Sequence, residues 1–581
     1  AAGCSISSAS AAWIAFIAFP HFAFDAFREI GMTIKVEMEE REKPMIARRE
    51  LLMGAAALPF AKAALAASPM GVATGPIEAS WAGLAAGYRV PDWFRDAKFG
   101  IWAHWGPQSV PGQGDWYGRF MYLQGHPMYA HHLRTYGHPA DTGFMEIQNR
   151  WTAERWDPQA LVDRYKAAGA RYFMALGCHH DNLDCYDSRY HPWNSLRVGP
   201  KRDVVGEFER AARKAGLKFG ISNHASHAWH WYQTAYGYDP EGPRRGERYD
   251  AFRLTAADGK GRWWDGLDPQ LLYTGPHIVP PAGISSIGAM TRFHDETSGR
   301  WVEHGPPMDA GYAARWLLRQ VDMVEKYRPD IVYMDNYALP FGPIGLEAAA
   351  DYYNRAVDWH GGTEVVLTAK KLLPHQAAGL VDDVERGFVT DIRDRPWQTC
   401  TCLGDWFYNE ARLRDRSYVP AEQVIQRLAD VVSKNGNLLL SVPQPGDGSL
   451  DAEAGRIVDE IGRWTAANGE AIFGSRPWRR FGEGPTRLEA GMQTEGAAKP
   501  FTAQDIRFTT NGGALYALFL KAPSGPATLA SLPRSAGRVE RATLPGGRPV
   551  PFRQDGGGLQ LNLPPGPGIV PVVRLDGEGL V

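Results

Sequence analysis

Short apolar runs alternate with longer amphipathic stretches from about residue 90 onward. The apolar runs have the length and β-branched content of buried strands, and the amphipathic stretches carry apolar residues at helical spacing. Regular alternation of strands and helices is typical of a parallel sheet, and eight such units predict an α/β protein with a closed (β/α)₈ TIM-like barrel over residues 80–478. The predicted strands cover residues 98–104, 171–176, 218–222, 331–334, 365–368, 380–384, 398–401 and 438–442.

The helices of this barrel are predicted at residues 158–168, 204–215, 312–327, 346–359 and 420–433. A doubly wound open sheet would produce the same alternation, so periodicity alone leaves that fold as an alternative. No GxGxxG motif follows the first predicted strand, and a nucleotide-binding open sheet is therefore the less favoured interpretation.

Residues 229–307 interrupt the alternation with a segment rich in Gly, Pro and aromatic residues. A stretch of this length is too long for an ordinary connection between a strand and a helix. We expect this segment to be a functional loop or lid that covers the functional site of the barrel.

The pattern changes again after Trp478, where short apolar runs are separated by Gly and Pro turns. This pattern predicts a small C-terminal β-sandwich over residues 479–581. Its strands are predicted at residues 506–509, 514–520, 550–552, 559–563 and 570–575. Because these runs contain no cluster of aromatic residues, we expect the sandwich to brace the barrel and not to bind sugar.

The N-terminal region has features of an export signal. An arginine pair, Arg48 and Arg49, precedes a mostly apolar run, which is typical of a twin-arginine-like signal over residues 45–67. Translation from Met45 would make residues 1–44 an upstream read-through or a disordered extension. The signal predicts an exported, periplasmic protein, and a surface amphipathic helix is the alternative interpretation.

Composition narrows the range of partners. With 63 basic and 65 acidic residues the formal net charge is -2, so the chain lacks the basic surface that nucleic acids or anionic membranes attract, and neither partner is predicted. Aromatic residues make up 12% of the chain, with 20 Trp, which suits stacking on sugars as well as a large aromatic core. The five cysteines form no CxxC pair, and a disulfide framework is not expected.

Polar side chains end the predicted strands on the side where barrel enzymes carry their active sites. The first strand ends at a histidine and leads to a run of acidic and aromatic residues, and the later strands end in histidines, carboxylates and a lysine. The residues concerned are His104, Asp115, Trp116, Tyr117, His179, His180, His224, Asp335, Lys370 and Glu385.

Asp335 and Glu385 follow two different strands, and a pair of carboxylates is what glycoside hydrolysis requires. One carboxylate attacks the anomeric carbon while the other protonates the leaving oxygen. Neighbouring histidines and aromatic rings would hold sugar hydroxyls and exclude water. An ion pair or a helix cap is an equally open interpretation of either acid, because acids at strand ends are common in barrels.

The same side chains allow a second interpretation, in which His104, His179, His180, Asp335 and Glu385 hold a divalent metal. No HxH or HExxH motif occurs at these strand ends, and adjacent histidines would point to opposite sides of a regular strand. We therefore predict no metal and no other cofactor.

Several motifs between residues 93 and 478 identify a likeness to a known family. They include WFRDAKFGI at 93–101, AHWGPQSVP at 103–111, DWY at 115–117, CHHD at 178–181, WQTC at 397–400, VSKNGNLLL at 432–440 and NGEAIFGSRPW at 468–478. In these motifs and their order the chain resembles glycoside hydrolase family 29, the α-L-fucosidases. The family fold, a barrel followed by a β-sandwich, agrees with the pattern of the sequence.

The resemblance implies a retaining exo-glycosidase that acts on terminal α-L-fucosides of fucosylated glycans or glycosides. It makes Asp335 the nucleophile that forms a covalent fucosyl intermediate, and Glu385 the acid/base. Asp382, Asp383 and Asp391 compete with Glu385 for that role. The residues that the resemblance assigns to sugar binding are His104, His179, His180 and Trp116, and we add Asp115, Tyr117, His224, Lys370 and Trp397 as candidates.

Some positions depart from the family pattern. Asp115 stands where many relatives carry Glu, Lys370 takes the approximate place of an Arg, and His224 replaces a Tyr-containing strand end. A preference for α-L-galactosides is therefore a second hypothesis, because that sugar differs from fucose only by a hydroxyl at C6. A metal-dependent barrel hydrolase and an inactive fucose-binding protein are two further hypotheses. The sequence does not predict the oligomeric state.

Overall fold

The structure, a computed structural model, describes residues 71–302, 309–566 and 568–581. The predicted signal at 45–67 and the extension at 1–44 lie outside the described residues. Among the residues that are described, no helix combines the length and apolar character needed to cross a membrane.

Eight parallel strands form a closed barrel in which β1 pairs with β8, so the predicted barrel is confirmed. Every strand overlaps one of the predicted runs, because strands buried on both faces are continuous apolar stretches. Their bounds are β1 Phe99–Ala103, β2 Tyr172–Cys178, β3 Lys218–Asn223, β4 Ile331–Tyr337, β5 Val366–Lys370, β6 Val381–Asp383, β7 Trp397–Cys402 and β8 Gly436–Ser441.

Helices precede, connect and surround the strands. Their bounds are α1 Trp81–Gly87, α2 Asp92–Ala97, α3 Tyr117–Phe120, α4 Pro127–Thr135, α5 Phe144–Asn149, α6 Pro158–Ala167, α7 Val204–Ala215, α8 Ala228–Trp231, α9 Asp250–Arg253, α10 Pro269–Leu272, α11 Ile287–Thr297, α12 Ala310–Tyr327, α13 Pro343–His360, α14 Glu410–Arg414, α15 Ala421–Ser433 and α16 Ala452–Asn468. Local sequence sets their ends. The Asp309 side chain accepts a hydrogen bond from the Tyr312 amide at 2.7 Å, and Gly216, with φ 75°, ends α7 in the left-handed conformation.

The barrel departs from strict alternation on one side. Residues 371–380 join β5 to β6 and residues 384–396 join β6 to β7, and neither connection contains a helix. Residues from the C-terminal region pair with the β6–β7 connection instead. Gly491 exchanges backbone hydrogen bonds with Phe388. The backbone of the β6–β7 connection is therefore hydrogen-bonded to a distant part of the chain.

The long segment predicted as a loop or lid at 229–307 is folded over its described part, residues 229–302. It contains α9 to α11 and two 3₁₀ turns, Tyr232–Tyr236 and Ala256–Gly259. The Asp250 carboxyl accepts a hydrogen bond from Tyr273 at 2.5 Å within the segment and one from Tyr122 at 2.8 Å outside it, so it fixes the segment to the residues that follow α3. Aromatic side chains of the segment, such as Trp264, are completely buried, which explains the high aromatic content.

The C-terminal region contains antiparallel sheets. A five-stranded sheet has the order β13-β16-β11-β10-β9, and a three-stranded sheet has the order β12-β15-β14. One apolar cluster, which includes Phe508, Leu515, Leu529 and Leu559, draws on both sheets. The strands are β9 Arg476–Glu483, β10 Ile506–Asn511, β11 Ala514–Phe519, β12 Ala527–Leu529, β13 Arg538–Thr543, β14 Phe552–Asp555, β15 Gly558–Leu561 and β16 Val572–Glu578.

Candidate active site

Asp335 and Glu385 meet at the carboxyl ends of β4 to β6, where the Lys370 side chain lies between them. The Lys370 Nζ contacts Asp335 Oδ1 and lies 2.5 Å from Glu385 Oε2. Lys370 is the last residue of β5, and Glu385 follows β6. Asp335 lies inside β4 and not at its end, within a register irregularity between Tyr333 and Tyr337. The irregularity is a break in the regular pairing with β5 at this end of the barrel.

Lys370 and Asp335 shift the pKa of each other. Burial raises the pKa of Asp335, but the Lys370 ammonium together with His224 and His227 outweighs burial and holds that pKa well below its usual range. Burial lowers the pKa of Lys370, and the Asp335 and Glu385 carboxylates outweigh burial and raise it well above its usual range. Asp335 is therefore an ionised carboxylate at neutral pH, as a nucleophile must be.

Four predicted histidines gather beside Asp335. The Asp335 Oδ2 atom lies 2.9 Å from His224 Nδ1 and 3.7 Å from His180 Nε2. The ring centroids of His179 and His180 are 4.1 Å apart, and the His104 and His179 centroids are 4.9 Å apart. The five side chains form one polar cluster at the mouth of the barrel.

The expectation that His179 and His180 point to opposite sides is wrong. The β2 strand ends at Cys178, and its pairing with β3 shifts register between Leu176 and Cys178. Both histidines therefore follow the strand, where side-chain alternation no longer applies.

Burial keeps most of these imidazoles neutral. It lowers the pKa of His104, with His224 adding to the effect, and it lowers that of His179, with His180 and His104 adding to the effect. The pKa of His180 is also well below its usual range because of burial. His104 Nδ1 and His224 Nε2 are buried without a hydrogen-bond partner among the described residues. Unpaired buried nitrogens beside two carboxylates are suited to binding the hydroxyls of a neutral ligand.

The cluster can also be tested against a metal. One ligand atom from each of His104, His179 and His224 lies within 4.8 Å of the others, and the same holds for His180, His224 and Asp335. The second group suits a cation poorly, because Lys370 already contacts Asp335. The first group consists of three imidazoles and fits a divalent transition metal by donor type.

Aromatic residues that the sequence prediction missed form the wall of this pocket. The Phe407 ring meets the rings of His104 and His179 edge-on, with centroids 4.6 and 4.8 Å apart. The ring centroids of Trp406 and His104 are 5.6 Å apart. Asp115 holds this wall in place, since its Oδ1 accepts a hydrogen bond from the Phe407 amide at 2.7 Å. Burial, assisted by Asp405, raises the pKa of Asp115 to about 7.

His227 was also missed, and it connects the pocket to the long segment. Its Nε2 contacts the Asp335 carbonyl oxygen, and its Nδ1 lies 2.7 Å from the Trp301 carbonyl oxygen. The Trp301 ring meets Trp116 edge-on at 5.2 Å. Trp116, with φ 66°, is thus linked to the backbone of Asp335 through Trp301 and His227. His227 lies in the 3₁₀ turn that follows the third strand. A search for polar residues in the first turn after each strand, and not only at the strand end, would have found it.

Two predicted residues do not join the pocket. The Tyr117 hydroxyl is completely buried and contacts His131 Nδ1 at 2.8 Å and His132 Nδ1 at 3.2 Å, both on α4. Trp397 opens β7, at the end of the strand away from the carboxylates, and its Nε1 donates to the Lys434 carbonyl at 2.9 Å. Both side chains are buried and bonded within the core.

The rivals of Glu385 are occupied elsewhere. Asp382 accepts a hydrogen bond from Arg393 at 2.7 Å, and Asp391 accepts one from the next backbone amide at 2.7 Å. Asp383 lies inside the barrel, where burial raises its pKa to about 7 although Cys400 and Gln398 donate to it. Of the four acids, Glu385 is the one that shares the Lys370 ammonium with Asp335.

Comparisons with known proteins agree on one family. A sequence profile described as Alpha-L-fucosidase matches residues 64–470. The tissue alpha-L-fucosidase of Homo sapiens is 25% identical over 446 residues, which is 75% of this chain and 76% of that protein. The plasma alpha-L-fucosidase of Homo sapiens is 24% identical over 501 residues, which is 84% of this chain and 88% of that protein.

Solved structures give the same result. The Thermotoga maritima alpha-fucosidase in complex with fucose is 25% identical, with a TM-score of 0.61, and the alignment covers 86% of this chain and 99% of that one. The same enzyme in complex with a mechanism based inhibitor has a TM-score of 0.62 at 25% identity, with coverage of 86% and 99%.

Proposed function

The chain belongs to the alpha-L-fucosidase family and is a glycoside hydrolase, and from this premise we propose that it hydrolyses terminal α-L-fucosides with retention of configuration. The substrates are fucosylated glycans or glycosides. The observation that carries the proposal is the shared contact of Lys370 Nζ with Asp335 and Glu385.

The common contact with Lys370 limits how far apart the two carboxylates lie, and this limit supports retention. Two charge-assisted hydrogen bonds to one nitrogen hold two oxygens at most about 5.5 Å apart. Retaining glycosidases carry their carboxyl groups about 5–5.5 Å apart, whereas inverting enzymes need about 6.5–9.5 Å to admit a water molecule. The arrangement around Lys370 fits the shorter spacing.

In the first step, an Asp335 carboxylate oxygen forms a bond to the anomeric carbon while the glycosidic bond breaks, and the Glu385 carboxyl gives its proton to the leaving oxygen. In the second step, Glu385 takes a proton from water, and that water displaces Asp335 from the anomeric carbon. Lys370 keeps Asp335 ionised before the sugar arrives.

The remaining residues bind the sugar. We assign His104, His179, His180 and His224 to its hydroxyls, because they are close to Asp335 and two of them carry unpaired nitrogens. Trp116 at the rim, with Phe407 and Trp406 on the wall, would exclude water from the oxocarbenium-like transition state. Asp115 contributes by holding the wall.

Release of the phenol from an aryl α-L-fucoside tests the proposal. We expect the wild-type protein to release it with the α-anomer of fucose as first product, seen by NMR. Asp335→Ala should lower kcat by at least about 10³-fold, because the covalent intermediate cannot form without its nucleophile. Asp382→Asn is the matched control and should keep most of the activity, because Asp382 pairs with Arg393 outside the pocket.

Four results would each contradict the proposal in a different way. A β-anomer as first product would mean inversion. Loss of activity on prolonged chelation would favour a metal at His104, His179 and His224, and faster release from the α-L-galactoside would favour that specificity. Binding of fucose without turnover would identify an inactive fucose-binding protein.

A further inference from the structure

The connection that carries Glu385 is paired with a segment of the C-terminal region. We name residues 490–497, which lie between β9 and β10, the strap. The Gln493 amide donates to the Glu385 carbonyl at 2.9 Å, and the Glu495 amide donates to the Arg386 carbonyl at 3.0 Å. The backbone of the candidate acid/base is therefore bonded directly to the strap.

The pairing continues one step further along the connection. Phe388 and Gly491 exchange backbone hydrogen bonds of 3.0 and 3.3 Å. The two chains approach so closely that a Cβ atom on Gly387 would lie 1.9 Å from the Gly491 carbonyl oxygen. Gly491 itself has φ 121°, a conformation that side chains rarely allow. Glycine is thus required on both sides of the contact.

Arg386, the residue after Glu385, has a backbone conformation that the contact with the strap stabilises. Arg386 has φ 46°, in the left-handed region that L-residues other than Gly avoid. Such a conformation persists only where the surroundings hold it. The Arg386 amide donates to the Cys400 carbonyl at 2.8 Å on β7, and its carbonyl accepts from Glu495 on the strap. Because no helix follows β6, the conformation of Arg386 is held by these two backbone hydrogen bonds, one to β7 and one to the strap.

The Glu495 carboxylate fixes the strap to the barrel. It accepts hydrogen bonds from the Thr401 hydroxyl at 2.8 and 3.0 Å, and Arg427 Nη1 lies 2.5 Å from it. The Arg386 guanidinium lies 3.6 Å away. The Arg427 guanidinium also stacks over the Phe388 ring at 4.7 Å, so the same cation contacts both the strap and the connection.

We propose that the strap positions the general acid/base, with Glu495 as its positioning residue. The chain of contacts runs from β7 and α15 through the Glu495 carboxylate to the strap backbone, and from there to the backbone of Glu385. A general acid must lie within hydrogen-bond reach of the leaving oxygen, so displacement of its backbone lowers proton donation before it affects sugar binding. The proposal rests on the role of Glu385 proposed above.

The test compares two aryl α-L-fucosides whose leaving phenols differ in acidity. Hydrolysis of the 2,4-dinitrophenyl fucoside needs no proton donor for its first step, whereas the phenyl fucoside does. We expect Glu495→Ala to lower kcat/KM about tenfold on the phenyl fucoside, a partial loss of the roughly 10²–10⁴-fold that acid catalysis supplies, and to change it less than about twofold on the dinitrophenyl fucoside.

A matched control separates positioning from folding. Glu483 on β9 accepts backbone hydrogen bonds from Ala530 at 2.9 Å and Ser531 at 2.7 Å, so its partners belong to the C-terminal sheets and not to the connection. Glu483→Ala should therefore leave both substrates unaffected. Equal losses on both substrates with Glu495→Ala, or no loss on either, would overturn the proposal.

Two further variants complete the design. Gly387→Ala should reproduce the leaving-group dependence of Glu495→Ala, because its methyl group would push the strap away while every strap side chain remains. Glu385→Ala should show the same dependence more strongly. If Glu385→Ala lacks it, the role of Glu385 itself is wrong; if only the strap variants lack it, the strap proposal alone fails.

Discussion

The Lys370 ammonium lies among two carboxylates and several neutral imidazoles, and it determines how the pocket responds to pH. It contacts Asp335 and Glu385, while burial keeps the pKa of His104, His179 and His180 well below their usual range. A ligand in this pocket therefore meets an ionised Asp335 carboxylate and uncharged imidazoles.

Removing this cation should change the pH profile in a defined direction. In Lys370→Met the Asp335 carboxylate loses its main stabilising charge, so its pKa rises. We expect the acid limb of kcat/KM to move up by about 1–3 pH units, the size of shift that one neighbouring charge produces. The measurement is the pH dependence of kcat/KM on an aryl α-L-fucoside.

Lys371→Met is the control for Lys370→Met. The Lys371 ammonium lies 4.0 Å from the centroid of the Tyr337 ring, outside the carboxylate pair, and its removal should leave the profile unchanged. Lys370→Arg should restore the limb, since the charge is retained. An unmoved acid limb in Lys370→Met would mean that Asp335 does not set it.

At the level of elements, the segment 229–302 is attached to the mouth of the barrel through Arg119 on α3. The buried guanidinium donates to the Trp231 carbonyl at 2.7 Å and to the Ser298 hydroxyl at 3.0 Å, and it stacks on Trp301 at 4.6 Å. Because Trp301 contacts both Trp116 and His227, the position of the segment affects the pocket.

Replacing Arg119 should loosen the segment. Arg119→Met leaves the Trp231 carbonyl and the Ser298 hydroxyl without their donor, at a cost of about 1–3 kcal/mol for each buried group. We expect KM for the aryl fucoside to rise about tenfold and limited proteolysis to cut first within residues 229–302. Steady-state kinetics and mass spectrometry of the fragments check both results.

Arg248→Met serves as the comparison, because Arg248 makes the same kind of contacts within the segment, to the Tyr236 and Pro280 carbonyls at 3.0 and 2.8 Å. It should increase proteolysis while changing KM less than Arg119→Met does. A KM that responds equally to both variants would mean that attachment through Arg119 has no special effect on the pocket.

The strands that the sequence prediction missed share a position in the fold. The strands β9, β12 and β13 lie at the edges of their sheets, and the prediction for β14, another edge strand, overlaps it only at Phe552. Edge strands carry exposed charged residues, as in Arg538–Thr543 with its arginines, and therefore lack the continuous apolar pattern of central strands. The closed barrel has no edge strand, and each of its strands is predicted by the pattern.

At the scale of the whole molecule, buried carboxyl groups couple stability to pH. Burial raises the pKa of Asp115, Asp181, Asp250 and Asp383 to about 7. In the unfolded chain these groups lose their protons near pH 4, so between about pH 4 and pH 7 the unfolded state binds fewer protons than the folded state. Stability from these groups is therefore greatest at low pH and falls as the pH rises through that range.

Asp250→Asn should reduce this dependence. The carboxamide has the shape of the neutral carboxyl and can still bond Tyr122 and Tyr273, but it cannot ionise. We expect the decrease in Tm between pH 5 and pH 8 to be smaller than in the wild type, measured by calorimetry. The exposed Asp265 provides the control, and Asp265→Asn should keep the wild-type dependence. An unchanged slope in Asp250→Asn would show that Asp250 is ionised in the folded protein.

The sequence by itself determined the barrel, the family and the set of polar residues at the strand ends. Parallel strands buried on both faces must be apolar throughout, so a polar residue where such a run stops stands out in the sequence. That reasoning located Asp335, Lys370, Glu385 and most of the histidines. Tyr117 and Trp397, which stand in motifs of the sequence, pack in the core, because a motif does not distinguish a side chain that faces the pocket from one that is buried elsewhere.

Only the tertiary structure decided how these residues work together. Glu385 differs from Asp382, Asp383 and Asp391 by its contact with Lys370, and that contact arises from the way β5 and β6 lie side by side. The strap reaches the same connection from the C-terminal region. Such contacts depend on how separate elements dock, and no local pattern of apolar and polar residues records the docking of segments that are far apart in the chain.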